Sequence, residues 1–298
     1  TGLPSVERAP RGREEMARSI KRARIVDHSA IYLILMAGAV VMLLPLLWTA
    51  STSLKTLDQL VVTRIELIPD PVAWENYVEL FRIAPVLLNF RNTMIIVVAA
   101  EFGSLVMCSL VAYGFARMPF PGRDGAFLLL LSTMMLPGVV TLIPFFVMFD
   151  RLGWINTFLP LIVPRFLAHN PFYIFLMRQF FLGIPQDLSD AARMDGCSDF
   201  GIWWRIVIPT SKPVLAAVGI FTFQWIWNDF LHPLIYLGGN KDNWTLALGL
   251  NSLKGLEGEN TTHYMMAYSV LMIVPMVVVF AFGQNYMIRG VTFSGIKG

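Results

Sequence analysis

The chain has 298 residues, 56% of them hydrophobic and 14% charged, with a formal net charge of +3 and a mean hydropathy of +0.61. Soluble domains carry about 25% charged residues, so an ordinary water-soluble globule is excluded and lipid is the solvent for most of the surface. The two cysteines, Cys108 and Cys197, lie far apart without metal-ligand spacing, which excludes a disulfide framework.

A helix needs about 20 apolar residues to cross a 30 Å hydrocarbon core, and six segments approach that length. The first runs from Ser29 to Ala50, too long and too far in for a cleaved signal peptide, and reads as a retained span. The second covers Asn92 to Phe115. The third, Ala126 to Phe149, contains Pro137 and Pro144, and the fourth, Thr157 to Phe181, contains Pro160, Pro164 and Pro171. Prolines at membrane depth are tolerated where neighbours or water satisfy the freed carbonyls, so these two spans are expected to be irregular, beside a pathway or kinked for packing. The fifth span covers Val214 to Leu237 and the sixth Tyr264 to Ile288. The fold class expected is an all-α integral membrane protein.

Short loops rich in Lys and Arg face the cytoplasm. Arg8, Arg11, Arg13, Arg18, Lys21, Arg22 and Arg24 precede span one; Arg117 and Arg123 follow span two. Arg178, Arg193, Arg205 and Lys212 lie between spans four and five, and Arg289 and Lys297 follow span six. The opposite loops hold Lys55, Arg64, Arg82, Arg91, Arg151, Lys241 and Lys254 amid acidic residues such as Asp58, Glu66, Glu75 and Asp242. Both termini are therefore expected inside the cell. A basic tail (residues 1–28), a transmembrane domain (29–290) and a C-terminal cytoplasmic tail (291–298) are the expected divisions. The basic tail serves as an orientation signal rather than a nucleic-acid site.

The cytoplasmic loop from about 184 to 211 reads as two short helices joined at a glycine. Pro185 suits a first helical turn, and Asp187 or Ser189 can accept from free N–H groups there. Ala191 and Ala192 leave one face slim, open to close approach by another surface. Gly196 permits the positive φ that ends a helix. Asp199 starts the second helix and Pro209 closes it.

Asp190-Ala191-Ala192, Gly196, Ile206 and Ile208-Pro209 resemble the EAA loop of binding-protein-dependent importer permeases. The spacing of that loop is kept, with Asp190 in place of Glu and Ile208 in place of Leu. Further stretches are similar to the maltose-type carbohydrate branch of that family. They include Trp74-Glu75-Asn76-Tyr77, Ala112-Tyr113-Gly114-Phe115-Ala116-Arg117, Trp227-Asn228-Asp229-Phe230 and the ending Lys297-Gly298. The resemblance implies a type I ABC importer permease subunit in a bacterial inner membrane, carrying a sugar inward. It implies partners as well: a second, homologous permease, an ATPase homodimer, an extracytoplasmic solute-binding protein, and surrounding lipid. It assigns Asp190, Ala191, Ala192, Asp195, Gly196, Ile206 and Pro209 to docking on the ATPase, which alone binds ATP and Mg. The C-terminal Lys297-Gly298 is implied to lie against the ATPase pair.

Glu101, Arg165 and Asp229 are ionisable groups at membrane depth, where such residues mark an interior or a pathway. Trp225 and Asp229 stand four apart on one helical face, with Gln224 and Asn228 beside them. Sugar hydroxyls need polar partners and sugar C–H patches need aromatic faces, so a pathway role is expected here ahead of a packing one. Arg165, near His169 and Asn170, would meet an acidic sugar, pair with Glu101, or pair with the second permease; the sequence leaves these open. No phosphate-binding Gly-x-x-x-x-Gly-Lys-Ser/Thr loop, His-Glu-x-x-His or Gly-x-Ser-x-Gly occurs, so no catalysis is expected in this polypeptide and no cofactor within it. A self-sufficient ion-coupled carrier would call for an internal repeat and a carboxylate relay; Glu101 and Asp229 are a thin basis for one. A membrane enzyme lacks its catalytic groups.

Overall fold

The computed structural model describes residues 11–61, 66–255 and 261–294, with side chains over 31–61, 66–254 and 261–284. Arg8, Arg64, Lys297 and Gly298, which enter the reading of orientation and of the tail, lie outside the described residues. Every regular element among those described is helical. In chain order these are α1 (Arg11–Ser53), α2 (Leu57–Val61), α3 (Glu75–Ile83), α4 (Val86–Arg117), α5 (Arg123–Ser132) and α6 (Gly138–Arg151). There follow α7 (Leu159–Ile162), a 3-10 segment (Val163–Leu167), α8 (Pro171–Leu182), α9 (Gln186–Met194), α10 (Asp199–Ile202), a π turn (Trp203–Val207) and α11 (Ile208–Thr210). The last are α12 (Lys212–Trp227), α13 (Leu231–Leu237), α14 (Leu246–Ser252) and α15 (Thr262–Ser294).

Three stretches are long and apolar enough to cross a membrane alone: Ile31–Ser53, Val86–Arg117 and Thr262–Gln284. Two bent pairs bring the number to five if each is one span, where the sequence suggested about six, the third and fourth of them irregular. Arg123–Met135 meets Gly138–Arg151 at 96°, with Pro137 at the joint, and Asp199–Thr210 meets Lys212–Trp227 at 81°. The fourth expected span is not one helix. Pro160, Pro164 and Pro171 each stand in the first turn of a separate short helical piece, where a missing N–H costs nothing. Ala168 carries a positive φ of 53° between the last two pieces. The fifth is shorter than expected, because α12 ends at Trp227 and Leu231–Leu237 is a separate helix. At the N-terminus α1 begins at Arg11 and runs on into the first span, so position 28 marks no break in the backbone.

α4 is the axis of the bundle, packing against α8, α12, α14 and the 3-10 segment, while α1 lies along α15. Lipid-exposed bundles gain little from hydrophobicity between helices, so small residues and interhelical hydrogen bonds do the holding. A Cβ on Gly103 would sit 2.7 Å from the Phe166 ring, so only glycine admits that crossing. Asn92 donates to the Asp242 and Trp244 carbonyls at 2.7 and 3.1 Å, and the Trp227 indole donates to the Met272 carbonyl at 3.0 Å. Asn76 donates to Ser53 and Lys55 carbonyls, both at 2.9 Å, and so ties α3 to the end of α1.

Two cores share α4. One, around Leu80, Val97, Trp227 and Tyr268, surrounds its first half. The other joins Ala112, Tyr113 and Ala116 of α4 to Ile174, Met177 and Phe181 of α8 and to Ile202, Trp203 and Val207. The outward faces of α1 and α6 remain apolar and exposed: Met42 is 80% accessible and Val139 73%. Water would make such surfaces costly; hydrocarbon does not.

Candidate functional site

The loop between α8 and α12 holds one of two candidate sites. Helix α9 ends in a Schellman motif: Cys197 N–H donates to Ala192 O at 2.9 Å and Gly196 N–H to Arg193 O at 3.0 Å. Gly196 takes φ +79°, the left-handed turn that glycine adopts without strain. The chain then enters α10 at once, with Ser198 Oγ accepting from Gly201 N–H at 3.2 Å. A Cβ on Gly201 would lie 2.6 Å from the Cys197 sulfur, so the connecting turn packs onto α10 at a glycine.

Arg193 fastens the corner from outside. Its guanidinium donates to Asp190 at 2.9 Å and to Asp199 at 3.2 Å, bridging α9 and α10. These bonds, Asp199's first, raise its pKa above the ordinary arginine value. From inside, Arg117 at the end of α4 is buried and donates to Gln186 Oε1 at 2.5 Å, to Phe181 O at 2.6 Å and to Ile184 O. Arg178 of α8 adds a second strut. It donates to Phe115 O at 3.2 Å, and its guanidinium stands 4.1 Å over the Phe127 ring of α5. The outer face of the corner stays open: Asp190, Ala191, Asp195, Gly196 and Pro209 are exposed, whereas Ala192 and Ile206 are half-buried.

Some local expectations fail. Pro185 precedes α9 as its cap residue rather than opening it, and no side chain caps that end. Ser189 is turned into the core and its Oγ is buried without a partner, because it sits on the packed face of α9. Pro209 does not close the second helix. It stands in the first turn of α11, and the chain bends after it, at Ser211.

The second site is a cavity of about 460 Å3 between the first half of α4, α6, the broken fourth segment and the end of α12. Arg165, Trp225 and Asp229 line it, joined by His169, Asn170, His232 and Thr245. Gln224 and Asn228 do not. The reason is that α12 stops one residue short of Asn228, whose side chain turns back to the Gln224 carbonyl at 2.9 Å. Asp229 therefore reaches the cavity from a helix break and not from the helical face shared with Trp225. Its carboxylate accepts from His232 Nδ1 at 2.9 Å. Arg165 makes no ion pair among the described residues, so its pairing with Glu101 is not found. Glu101 is elsewhere, on α4 beside the spot where a Cβ on Gly219 would lie 3.1 Å from its Oε1.

Arg117 and Arg193 brace the first site and His232 holds Asp229 at the second, whereas in sequence the two arginines read only as orientation charges. The three-residue steps from Asp190 to Arg193 and from Asp229 to His232 were legible. The reach of Arg117 across to residues 181–186 was not.

Three comparisons bear on this geometry. Residues 105–292 match the family model described as binding-protein-dependent transport system inner membrane component. The arabinooligosaccharides transport system permease protein AraQ of Halalkalibacterium halodurans is 37% identical over 87% of this chain and 93% of its own length. AraQ of Bacillus subtilis is 35% identical, over 90% of this chain and 95% of its own. The alpha-glucoside transport system permease protein AglG of Rhizobium meliloti is 31% identical, over 77% and 62%. A bacterial ABC transporter involved in import of the acidic polysaccharide alginate has one chain that superposes with a TM-score of 0.77. The identity is 23% and the superposition covers 95% of this chain and 99% of that one, which shows a shared fold.

Proposed function

This chain belongs to the binding-protein-dependent transport system inner membrane components, and from that premise we propose that it carries an oligosaccharide through the bacterial inner membrane. As a multi-pass permease of an ABC importer it works with a solute-binding protein and an ATPase. The finer reading adds a second, homologous permease, an ATPase homodimer that holds ATP and Mg, and cytoplasmic termini. Permeases for arabinooligosaccharides, similar over nearly the whole chain, support a sugar as cargo.

The single observation that carries the coupling role is the corner at Gly196. It is a nine-residue helix, fastened at both ends and exposed along Asp190, Ala191 and Asp195. A rigid lever of this kind passes on a push without folding away from it. Closure of the ATPase against α9 would tilt α8, α4 and α12 together and switch access to the cavity. Nothing in the comparisons supports the self-sufficient ion-coupled carrier.

Co-purification tests the assembly. The full chain should elute with an ATPase and a second permease, and vesicles holding all three should take up sugar only with ATP and binding protein. Uptake by this chain alone, down an ion gradient, would overturn the reading.

A further inference from the structure

Among the described residues Arg165 lines the cavity with no ionic partner in contact. It sits on the 3-10 segment Val163–Leu167, held between Pro164 and the left-handed turn at Ala168, and faces the cavity. Among the described residues no carboxylate lies within 4.0 Å of it and no hydrogen bond uses its guanidinium. The lining carboxylate, Asp229, is taken by His232 through both oxygens, at 3.1 and 2.9 Å. Arg165 is thus the lining group whose charged donors remain open to a ligand, while both oxygens of Asp229 are already engaged.

Cation and aromatic surface occur together here. Trp225 is 61% exposed and lines the same cavity, an open ring face for the C–H patch of a sugar. Thr245 contributes a buried hydroxyl with no partner among the described residues. A guanidinium offers five N–H donors in a planar fork that matches a carboxylate with two parallel bonds. A half-buried cation without a partner is costly, and cargo that pairs with it offsets that cost on each passage.

We propose that the cavity takes an acidic sugar, a uronate residue whose carboxylate pairs with Arg165 while its ring face rests on Trp225. This rests on the reading of the chain as a sugar-importer permease. It goes further by assigning the charge of the cargo and the residue that selects it.

The test uses the assembled importer in nanodiscs, without binding protein, and two probes of equal length: trigalacturonate and its carboxyl-reduced counterpart, galactotriose. Equilibrium dialysis should give the acid a Kd at least about tenfold lower, the size of one charge-assisted contact. R165Q should bring the two affinities together, and R165K should keep part of the preference. Equal binding of both probes, or a preference that survives R165Q, overturns the proposal while leaving a sugar pathway standing. Binding of neither overturns the sugar reading of the cavity as well. Loss of the second permease from purified R165Q would assign the cation to that contact instead, and so overturn the proposal too.

Discussion

The two ends of α4 deal with charge in opposite ways. At its C-terminal end Arg117, Arg178 and Arg193 each donate to named partners, and all of those bonds except Arg193 to Asp190 join two different elements or turns. Beside its first half Arg165 spends none among the described residues, Trp225 is largely exposed, and the helices that frame the space are interrupted by proline or end early. A part that transmits force must hold its angles, so its polar groups are consumed within the chain. A part that handles passing cargo must keep donors available, and irregular backbone is tolerated where it lines a cavity. The contrast separates coupling from cargo handling and makes each separately breakable.

The largest break expected is Gly196→Pro. Proline fixes φ near −65° and has no N–H, while this position needs φ +79° and donates to Arg193 O. Both closing bonds of α9 would be lost together, at a cost of about 3 kcal/mol or more. ATP-driven uptake in vesicles should fall at least about a hundredfold, with sugar binding at the cavity retained. Gly196→Ala, strained by only about 1–2 kcal/mol, should fall between. Equal uptake in all three proteins would remove the corner from the mechanism.

Arg117→Ala comes next. It strips Phe181 O, Ile184 O and Gln186 of a buried donor, and leaving such an acceptor unpaired costs about 1–3 kcal/mol. Uptake should drop about tenfold or more while the ATPase still co-purifies, because the exposed face of α9 is untouched. A lysine there, with one compact charge, should recover part of the loss. If R117A lost the ATPase altogether, Arg117 would be holding the fold and not the angle of the lever.

How much of this was readable in advance depends on reach. The glycine at 196, the alanines of α9 and the start of α10 at Asp199 followed from local rules, because caps and turns involve neighbours in sequence. The proline-rich fourth segment was legible as irregular but not as three pieces, since proline says where a helix cannot continue and not how the chain resumes. The placement of Asp229 was missed for a related reason: nothing local in Trp227-Asn228-Asp229 announced that α12 would stop there. Arg117 was invisible as a strut because its partners lie more than sixty positions away, at Phe181 and Ile184. Tertiary packing decides such contacts, and an arginine at a span end looks the same with or without them.

Trp225→Ala probes the other end. Removing a largely exposed indole should cost the corner nothing and the cargo an aromatic contact worth about 0.5–1.5 kcal/mol. Binding of a sugar to the cavity should weaken about threefold to tenfold, with basal ATPase activity and its association unchanged. An effect on ATPase association without one on sugar binding would blur the division between the two regions.

The smallest effect, and the finest test of the division, is Arg193→Gln. Its two carboxylate partners are well exposed, Asp190 at 58% and Asp199 at 44% of the side chain, and exposed pairs contribute about 0.2–1 kcal/mol each. Coupling efficiency, sugar carried per ATP hydrolysed, should therefore fall only about twofold to fivefold at low salt. The gap between variant and parent should narrow as salt rises, because the Debye length shrinks from about 10 Å at 0.1 M to about 3 Å at 1 M and the parent loses the same attraction. Arg193→Lys should resemble the glutamine variant more than the parent, since a single ammonium does not span two carboxylates as the guanidinium fork does. If the loss instead exceeded that of R117A and ignored salt, Arg193 would be contacting the ATPase directly, and the corner would be a docking charge and not a brace.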